Sequence, residues 1–287
     1  MNDSPSLATR REDICDPNPW TAAWSLGHRE LVRFFRQRNR VIGAIGQPIL
    51  FWLLFGVGLG QSFRLPIESE SAGLSFQQYY VPGTLVLIVL FTAIFTTISV
   101  IEDRREGFLQ SVLVSPIPPW AMVGGKIIGG SLIALLQALV FLILAFFSIG
   151  FVSVGVFLHA TLLLFCSAVG LTGLGFVLAW RMDSTQGFHA VMSVLLMPMW
   201  LLSGAFFPVP ILKEDASVLQ IGLFWVMQLN PVTYQVAGLR QAMFATTAAE
   251  LNLPSLLVCW LVTLGFAISM YYASSRITRS RTQGDLQ

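Results

Sequence analysis

Residues 127–180 read IIGGSLIALLQALVFLILAFFSIGFVSVGVFLHATLLLFCSAVGLTGLGFVLAW, without one Asp, Glu, Lys or Arg. As a single helix rising 1.5 Å per residue, this run would be about 80 Å long. The hydrocarbon core of a bilayer is only about 30 Å thick. The run therefore predicts two membrane-spanning helices joined by a tight turn, which we place at the glycines and serines of residues 150–155.

The composition of the whole chain also indicates a membrane protein. Hydrophobic residues make up 55% of the 287 residues and charged residues 11%, whereas a soluble domain carries about 25% charged residues. The 22 Phe and 8 Trp suit lipid-facing helices and the aromatic belts at their ends. These values exclude a soluble enzyme and a disordered chain, and the net charge of +2 is too small to indicate nucleic-acid binding.

The apolar stretches predict an all-α integral membrane protein with six transmembrane helices, since each crossing needs about 20 residues. A polar tail (1–19) precedes them and a basic tail (275–287) follows. Of the 17 Lys and Arg, only Arg64, Lys213 and Arg240 fall on the side opposite the tails. The positive-inside rule therefore places both termini in the cytoplasm. The spans, in a membrane domain of residues 41–274, are 41–61, 80–101, 124–149, 156–180, 188–207 and 254–274.

An amphipathic stretch, residues 20–40, precedes the first span. Trp20, Trp24, Leu31 and Phe35 recur at helical spacing, and arginines occupy the more polar positions. A helix of this kind lies in the membrane surface rather than crossing it. The alternative is a soluble helix that packs on a partner protein.

The region 211–250 lies outside the membrane in this topology, yet it is apolar. Residues 218–229 are too few to cross a bilayer and are typical of re-entrant or interfacial segments. Asn230 and Pro231 would end that helix, and a second short helix would return. We therefore expect an outer re-entrant helical hairpin.

The most charged segment of the chain follows the second span. Five charges at about 2.5–3.5 kcal/mol each would be very unfavourable at the middle of a bilayer. We therefore expect all five to lie in water. They are Glu102, Asp103, Arg104, Arg105 and Glu106.

An apolar stripe follows these charges, formed by Phe108, Leu109, Val112 and Leu113. Prolines after Ser115 would stop the helix. A short cytoplasmic helix over about 103–115, with a charged start and one apolar face, suits docking in a groove of another protein. An ordinary solvated loop is the alternative.

Residues that could carry chemistry are scarce. No Asp or Glu falls within a predicted span, which argues against a proton- or sodium-coupled carrier. The sequence Gly124-Gly125-Lys126-Ile127 lacks the upstream glycine and the hydroxyl residue of a phosphate-binding loop. The three cysteines share no metal-ligand spacing. We expect no catalytic residue, metal or cofactor in this chain.

Two pairs of glycines fit the close-packing pattern of membrane helices. They are Gly56 with Gly60 and Gly125 with Gly129. Both pairs are candidates for close helix packing within the chain or for a dimer interface.

Taken together, these features resemble the type-two ABC export permeases. Residues 102–116, EDRREGFLQSVLVSP, are similar to that family's coupling-helix segment, although Gln110 stands where the family usually has Glu. The signature before the last span, Asn-Pro, then Tyr, then Leu-Arg, is matched by Asn230, Pro231, Tyr234 and Arg240. The resemblance extends over residues 20–274.

The resemblance implies the permease subunit of an ATP-driven exporter in the bacterial cytoplasmic (inner) membrane. Two copies, as a homodimer among membrane lipids, would move an amphipathic substrate such as a drug, lipid or lipid-linked glycan. A separate cytoplasmic ABC ATPase, carrying the ATP and Mg, would dock on the coupling helix. A non-transporting membrane scaffold and, less favoured, an ion-coupled secondary transporter are the alternatives.

Overall fold

The computed structural model describes residues 18–51, 53–54, 76–150, 153–210, 216–244 and 253–279. In these ranges the chain is helical and contains no strand. The helices are α1 (Pro19–Arg36), α2 (Arg38–Phe51), α3 (Phe76–Thr96), α4 (Ile98–Arg105), α5 (Phe108–Val114), α6 (Pro119–Ile149), α7 (Val154–Trp180), α8 (Thr185–Leu201), α9 (Val218–Leu229), α10 (Pro231–Met243) and α11 (Leu256–Ile277).

Four helical stretches in the described ranges are long and apolar enough to cross a membrane. They correspond to the second, third, fourth and sixth predicted spans. The uncharged run divides as predicted, because α6 ends before Gly150, whose φ of 112° favours glycine. The four are Tyr79–Arg105, which comprises most of α3 and all of α4, Pro119–Phe147, Val154–Trp180 and Leu256–Ile277.

The first and fifth predicted spans are not among these four. The described part of the first is α2 after residue 40, together with residues 53–54, and Gly56 and Gly60 lie outside the described residues. The fifth corresponds to α8, which has 17 residues and ends at Leu201, shortly after Pro198. Seventeen residues reach only about 26 Å, the lower limit for a crossing. The six-helix count therefore stays a prediction.

Helix α3 forms the centre of the fold. It packs on α6, α7, α8 and α10, and the side chains of residues 79–90 are all buried. An apolar surface on every side is what a helix needs when it is enclosed by other helices. Close contact with the turn after α8 depends on Gly83, since a Cβ there would lie 2.8 Å from the Cβ of Ala205.

Helix α1 packs along the first half of α6 through glycines. A Cβ on Gly125 would lie 2.5 Å from the carbonyl oxygen of Ala23, and one on Gly129 would lie 2.9 Å from that of Gly27. Gly125 and Gly129 therefore pack closely within the chain, and α1 rather than a second copy covers this face. Beside this contact, α1 exposes large aromatic side chains, including Trp24, which is 70% exposed.

Candidate functional site: a buried charge cluster behind α5

The short helix α5 stands between two membrane helices because the sequence interrupts the chain on both sides of it. Gly107 has a φ of 75°, a left-handed conformation that favours glycine, and it separates α4 from α5. Ser115 is extended, and Pro119 then begins α6. The single helix expected over 103–115 is therefore two elements, since residues 103–105 complete the preceding membrane helix.

Asp103 is the centre of a charge cluster. Its side chain is fully buried, so the expectation that all five charges lie in water is wrong for this residue. Arg29 donates two hydrogen bonds to its carboxylate, at 3.0 and 2.9 Å. Arg33 donates a third at 3.0 Å, and the Nζ of Lys126 donates a fourth. A buried carboxylate has lost the water that would hydrogen-bond to it. These cations from α1 and α6 supply hydrogen bonds in place of that water.

Two glutamates complete the charge balance. The Nζ of Lys126 lies 2.8 Å from Oε1 of Glu30, and the Nη2 of Arg33 lies 2.8 Å from Oε2 of Glu102. With Arg29 and Asp103, three cations face three carboxylates. We call these six residues the Asp103 cluster. Although no Asp or Glu falls within a predicted span, Glu30 and Asp103 are both buried.

Phe108 and Leu109 attach α5 to the rest of the molecule. The guanidinium carbon of Arg29 lies 3.7 Å from the centre of the Phe108 ring, a cation–π contact. Hydrogen bonding to Asp103 raises the pKa of Arg29, so the guanidinium that contacts the Phe108 ring is positively charged. Leu109 is 1% exposed and belongs to the apolar core. The prediction that Leu109 faces a partner's groove is therefore wrong.

The outer side of α5 remains open. Leu113 is 39% exposed and Val114 is 85% exposed, while Val112 is partly buried against the core. The apolar stripe predicted as one docking face therefore divides in two. Its first part anchors α5 to the molecule, and only its last part is available to another protein.

Arg104 points away from the cluster and toward α7. Its Nη2 donates to the carbonyl of Trp180 at 2.7 Å, and its guanidinium carbon lies 5.3 Å from the centre of that indole ring. A cation is favourable there, because the last carbonyls of a helix have no partner within the helix. Arg105 and Glu106 are exposed.

At the other end of α3, Asn230 joins α9 to α10. Its Oδ1 accepts from the backbone N–H two residues ahead at 3.0 Å, and its Nδ2 donates to the carbonyl of Met199 at 2.6 Å. Pro231 occupies the first position of α10, and the Tyr234 hydroxyl donates to Oε1 of Gln228 at 3.0 Å. The two short helices meet where the sequence predicts. Their re-entrant position in a membrane stays a prediction.

Arg240, on α10, is 3% exposed. Its Nη2 donates to the carbonyls of Tyr79 and Gly204 at 3.3 and 3.2 Å, and its guanidinium carbon lies 4.0 Å from the centre of the Tyr79 ring. The Tyr79 hydroxyl also donates to the Gly204 carbonyl, at 3.3 Å. Within the described part of the chain, no carboxylate forms an ion pair with Arg240. We call Arg240, Tyr79 and Gly204 the Arg240 site.

The fold and the Asp103 cluster define a class of protein. It is a helical membrane protein in which a short helix, α5, is attached to a buried charge cluster at one end. The family model described as "ABC-2 type transporter" matches residues 21–244. The chain therefore belongs to the ABC-2 type transporter family, and it is a transport permease rather than an enzyme. Membership also implies partnership with an ATPase subunit.

Similar proteins carry related names. The chain is 25% identical over 227 residues to "Inner membrane transport permease YadH" of Escherichia coli (strain K12). The matched region covers 77% of this chain and 82% of that protein. It is 27% identical over 224 residues to "Putative transport permease ycf38" of Cyanophora paradoxa, covering 74% and 70%. It is 26% identical over 164 residues to "Probable multidrug ABC transporter permease YbhR" of Escherichia coli (strain K12), covering 56% and 42%.

Four members of the Asp103 cluster are not predicted from the sequence: Arg29, Glu30, Arg33 and Lys126. The sequence contains two signals for them. Lys126 is the last charge before the uncharged run, and an ionisable residue at the edge of a span needs a partner. The i, i+4 spacing of Arg29 and Arg33 also places two cations on one face of α1.

Proposed function

We propose that the chain is the membrane-spanning subunit of an ATP-driven exporter in a bacterial cytoplasmic membrane. Two identical chains would form the pathway, and separate ABC ATPase subunits, which hold ATP and Mg, would dock on α5 from the cytoplasm. Family membership supports the ATPase partner, and the inner-membrane relative supports the location. The observation that carries the proposal is the solvent-exposed side of α5, formed by Leu113 and Val114. The other side of α5 contacts the Asp103 cluster through Phe108.

The contacts of α5 supply a route for mechanical coupling. Phe108 contacts Arg29 on α1, Arg29 holds Asp103 on α4, and Asp103 holds Lys126 on α6. A displacement of α5 by the ATPase would therefore move three helices together. ATP would favour one arrangement because the ATPases bind it more tightly in their closed state. Rigid-body movement of packed helices would then open the pathway to the other side.

The pairing of the buried carboxylates favours ATP-driven over ion-coupled transport. A carboxylate in a proton or sodium pathway must exchange its cation with water or a neighbouring group. Asp103 is instead surrounded by Arg29, Arg33 and Lys126, and Glu30 also contacts Lys126. A non-transporting scaffold would not require an exposed helix connected to three other helices through charges.

The exposed face of α8 supports an amphipathic substrate. Gln186, His189 and Ser193 are exposed there beside Val194, which is 76% exposed. Polar side chains on a membrane helix commonly line a cavity or an interface rather than lipid. We propose that this face contributes to the pathway for a drug, a lipid or a lipid-linked glycan.

A matched pair of valines tests the docking of the ATPase. Val114 on α5 is 85% exposed and Val218 on α9 is 87% exposed, so Asp at either position leaves the folded core intact. We expect Val114→Asp to lose the ATPase that co-purifies with the affinity-tagged chain, since it forces a carboxylate into an apolar contact. Val218→Asp should retain it. If Val114→Asp keeps its ATPase and normal export, α5 is a solvated segment and the docking proposal fails.

A further inference from the structure

A deep groove, which we call the α1 groove, lies beneath α1 and is separate from α5. Its walls come from four helices, α1, α6, α7 and α11, and its volume is about 430 Å³. Its interior is lined by apolar side chains, among them Leu31, Ile128, Leu132 and Val169. The Asp103 cluster and the exposed tip of α5 do not contribute to it.

The depth of the α1 groove matches one leaflet of a bilayer. On α6 it extends from Trp120, next to the start of the helix, to Leu132. Twelve residues of α-helix span about 18 Å, and half of the hydrocarbon core is about 15 Å. The groove therefore runs from the end of the membrane helices to about the middle of the bilayer.

The groove is lined by aromatic side chains at one end and by apolar side chains in its interior. At the end near the start of α6 lie Trp20, Trp24 and Trp120, and the rings of Trp20 and Trp120 contact each other edge to face at 5.2 Å between centroids. Trp20 and Trp24 are 72% and 70% exposed. Indole rings with one apolar and one polar side concentrate at the level of lipid headgroups. The apolar interior lies where acyl chains lie.

The size of the groove decides between a lipid and a protein occupant. Spread over about 18 Å, its volume gives a mean cross-section of about 24 Å². An α-helix of a second copy, with its side chains, is about 10–12 Å across and does not fit. At about 30 Å³ for each water-sized group, the groove accommodates roughly a dozen methylenes in a row.

We propose that the α1 groove binds one acyl chain of a phospholipid from the leaflet at the α5 end, with the headgroup beside Trp20 and Trp120. The bound chain fills the space between α1 and the membrane helices. It thereby secures the helix that carries Arg29 and Arg33. Neither export nor an ATPase is needed for this binding.

A photoactivatable phospholipid, with a diazirine near the end of one acyl chain, tests the proposal. The purified full chain is reconstituted in vesicles of unlabelled phospholipid containing this probe, and adducts are mapped by mass spectrometry. We expect peptides containing Ile128 and Leu132 to be labelled at least fivefold more than those containing Leu264 and Ile268, which are exposed at a similar depth on α11.

Two substitutions on one face of α6 provide the control. Ile128→Trp fills the groove and should reduce its labelling at least fivefold, whereas Leu136→Trp, two turns away, should not. The two side chains are similarly exposed, at 47% and 42%. Trp24→Ala, which removes an exposed wall, should reduce labelling without repacking the core.

Three results would overturn the proposal. Equal labelling of all lipid-facing helices, unaffected by Ile128→Trp, would mean ordinary surrounding lipid only. Displacement of the probe by a transported amphiphile would assign the groove to the translocation pathway. A cross-link from Trp24→Cys to a second copy would assign it to a dimer interface. Because the assay contains no ATPase, its outcome is independent of the exporter proposal.

Discussion

Two buried charged sites lie near opposite ends of one membrane stretch, Tyr79–Arg105, and are stabilised in different ways. Asp103 is about 36 Å of helix from Tyr79. At one end the Asp103 carboxylate is surrounded by three cations from α1 and α6. At the other end the guanidinium of Arg240 contacts two carbonyls and an aromatic ring, with no carboxylate among the described residues.

The difference shows which end can rearrange. In the Asp103 cluster, Lys126 contacts both Glu30 and Asp103, and Arg33 contacts both Asp103 and Glu102. A small movement can therefore exchange partners without leaving a charge unpaired. Arg240 has no acceptor of opposite charge in the described residues, so movement would leave a buried cation unsatisfied. The α5 end can therefore rearrange more readily than the Arg240 site.

The largest expected effect comes from neutralising Asp103. Asp103→Asn leaves Arg29, Arg33 and Lys126 crowded around an amide with no net charge. Removing one partner of a buried ion pair typically destabilises by about 3–5 kcal/mol. We expect a loss of this size in the free energy of unfolding, measured by SDS titration in mixed micelles.

Asp183 provides the matched control for this substitution. It pairs with Arg104 at 3.4 Å, but its side chain is 92% exposed. Asp183→Asn should shift the unfolding midpoint little. Equal effects of Asp103→Asn and Asp183→Asn would show that the Asp103 cluster is hydrated in the membrane protein.

A smaller effect is expected at the Arg240 site. Arg240→Met keeps most of the side-chain volume but removes the Arg240 donor from the carbonyls of Tyr79 and Gly204, of which Gly204 keeps the Tyr79 hydroxyl. A buried unsatisfied acceptor costs about 1–3 kcal/mol, and removal of an uncompensated buried cation offsets part of this. In the same SDS titration, a loss as large as that of Asp103→Asn would indicate an acidic partner for Arg240 and would end the contrast between the two sites.

The smallest effect is expected at the edge of the Asp103 cluster. Glu106 lies 3.6 Å from Arg33, and its side chain is 60% exposed. Glu106→Gln should change the free energy of unfolding by less than about 1 kcal/mol, as for other solvated pairs. Glu102→Gln, at a position 27% exposed, should cost more. A larger effect of Glu106→Gln than of Glu102→Gln would show that Glu106, and not Glu102, is the principal partner of Arg33 outside Asp103.

Local interruptions of the helices are predictable because one or two residues determine them. Gly150 ends α6 in the predicted turn, and Asn230 with Pro231 separates α9 from α10. Gly107 shows the limit of this approach. Its left-handed conformation divides the expected coupling helix into α4 and α5, a break that the surrounding charges do not reveal.

The side to which a residue turns is less predictable. Leu109 and Leu113 belong to one apolar stripe in the sequence, yet Leu109 is in the core and Leu113 is 39% exposed. Gly125 and Gly129 have the spacing for close helix packing, and they do pack closely. The partner is α1 of the same chain, which no spacing within α6 could identify.

The sequence alone determined that this protein is helical and membrane-spanning and where four of its crossings lie. Hydrophobic transfer and backbone preference act within a short window of chain, so a linear sequence displays them directly. Only the tertiary structure decided that Asp103 is buried. Its partners Arg29, Arg33 and Lys126 lie 74, 70 and 23 residues away. A charge isolated in the sequence belongs in water, whereas the packing of α1 on α6 brings three cations to it and makes burial favourable.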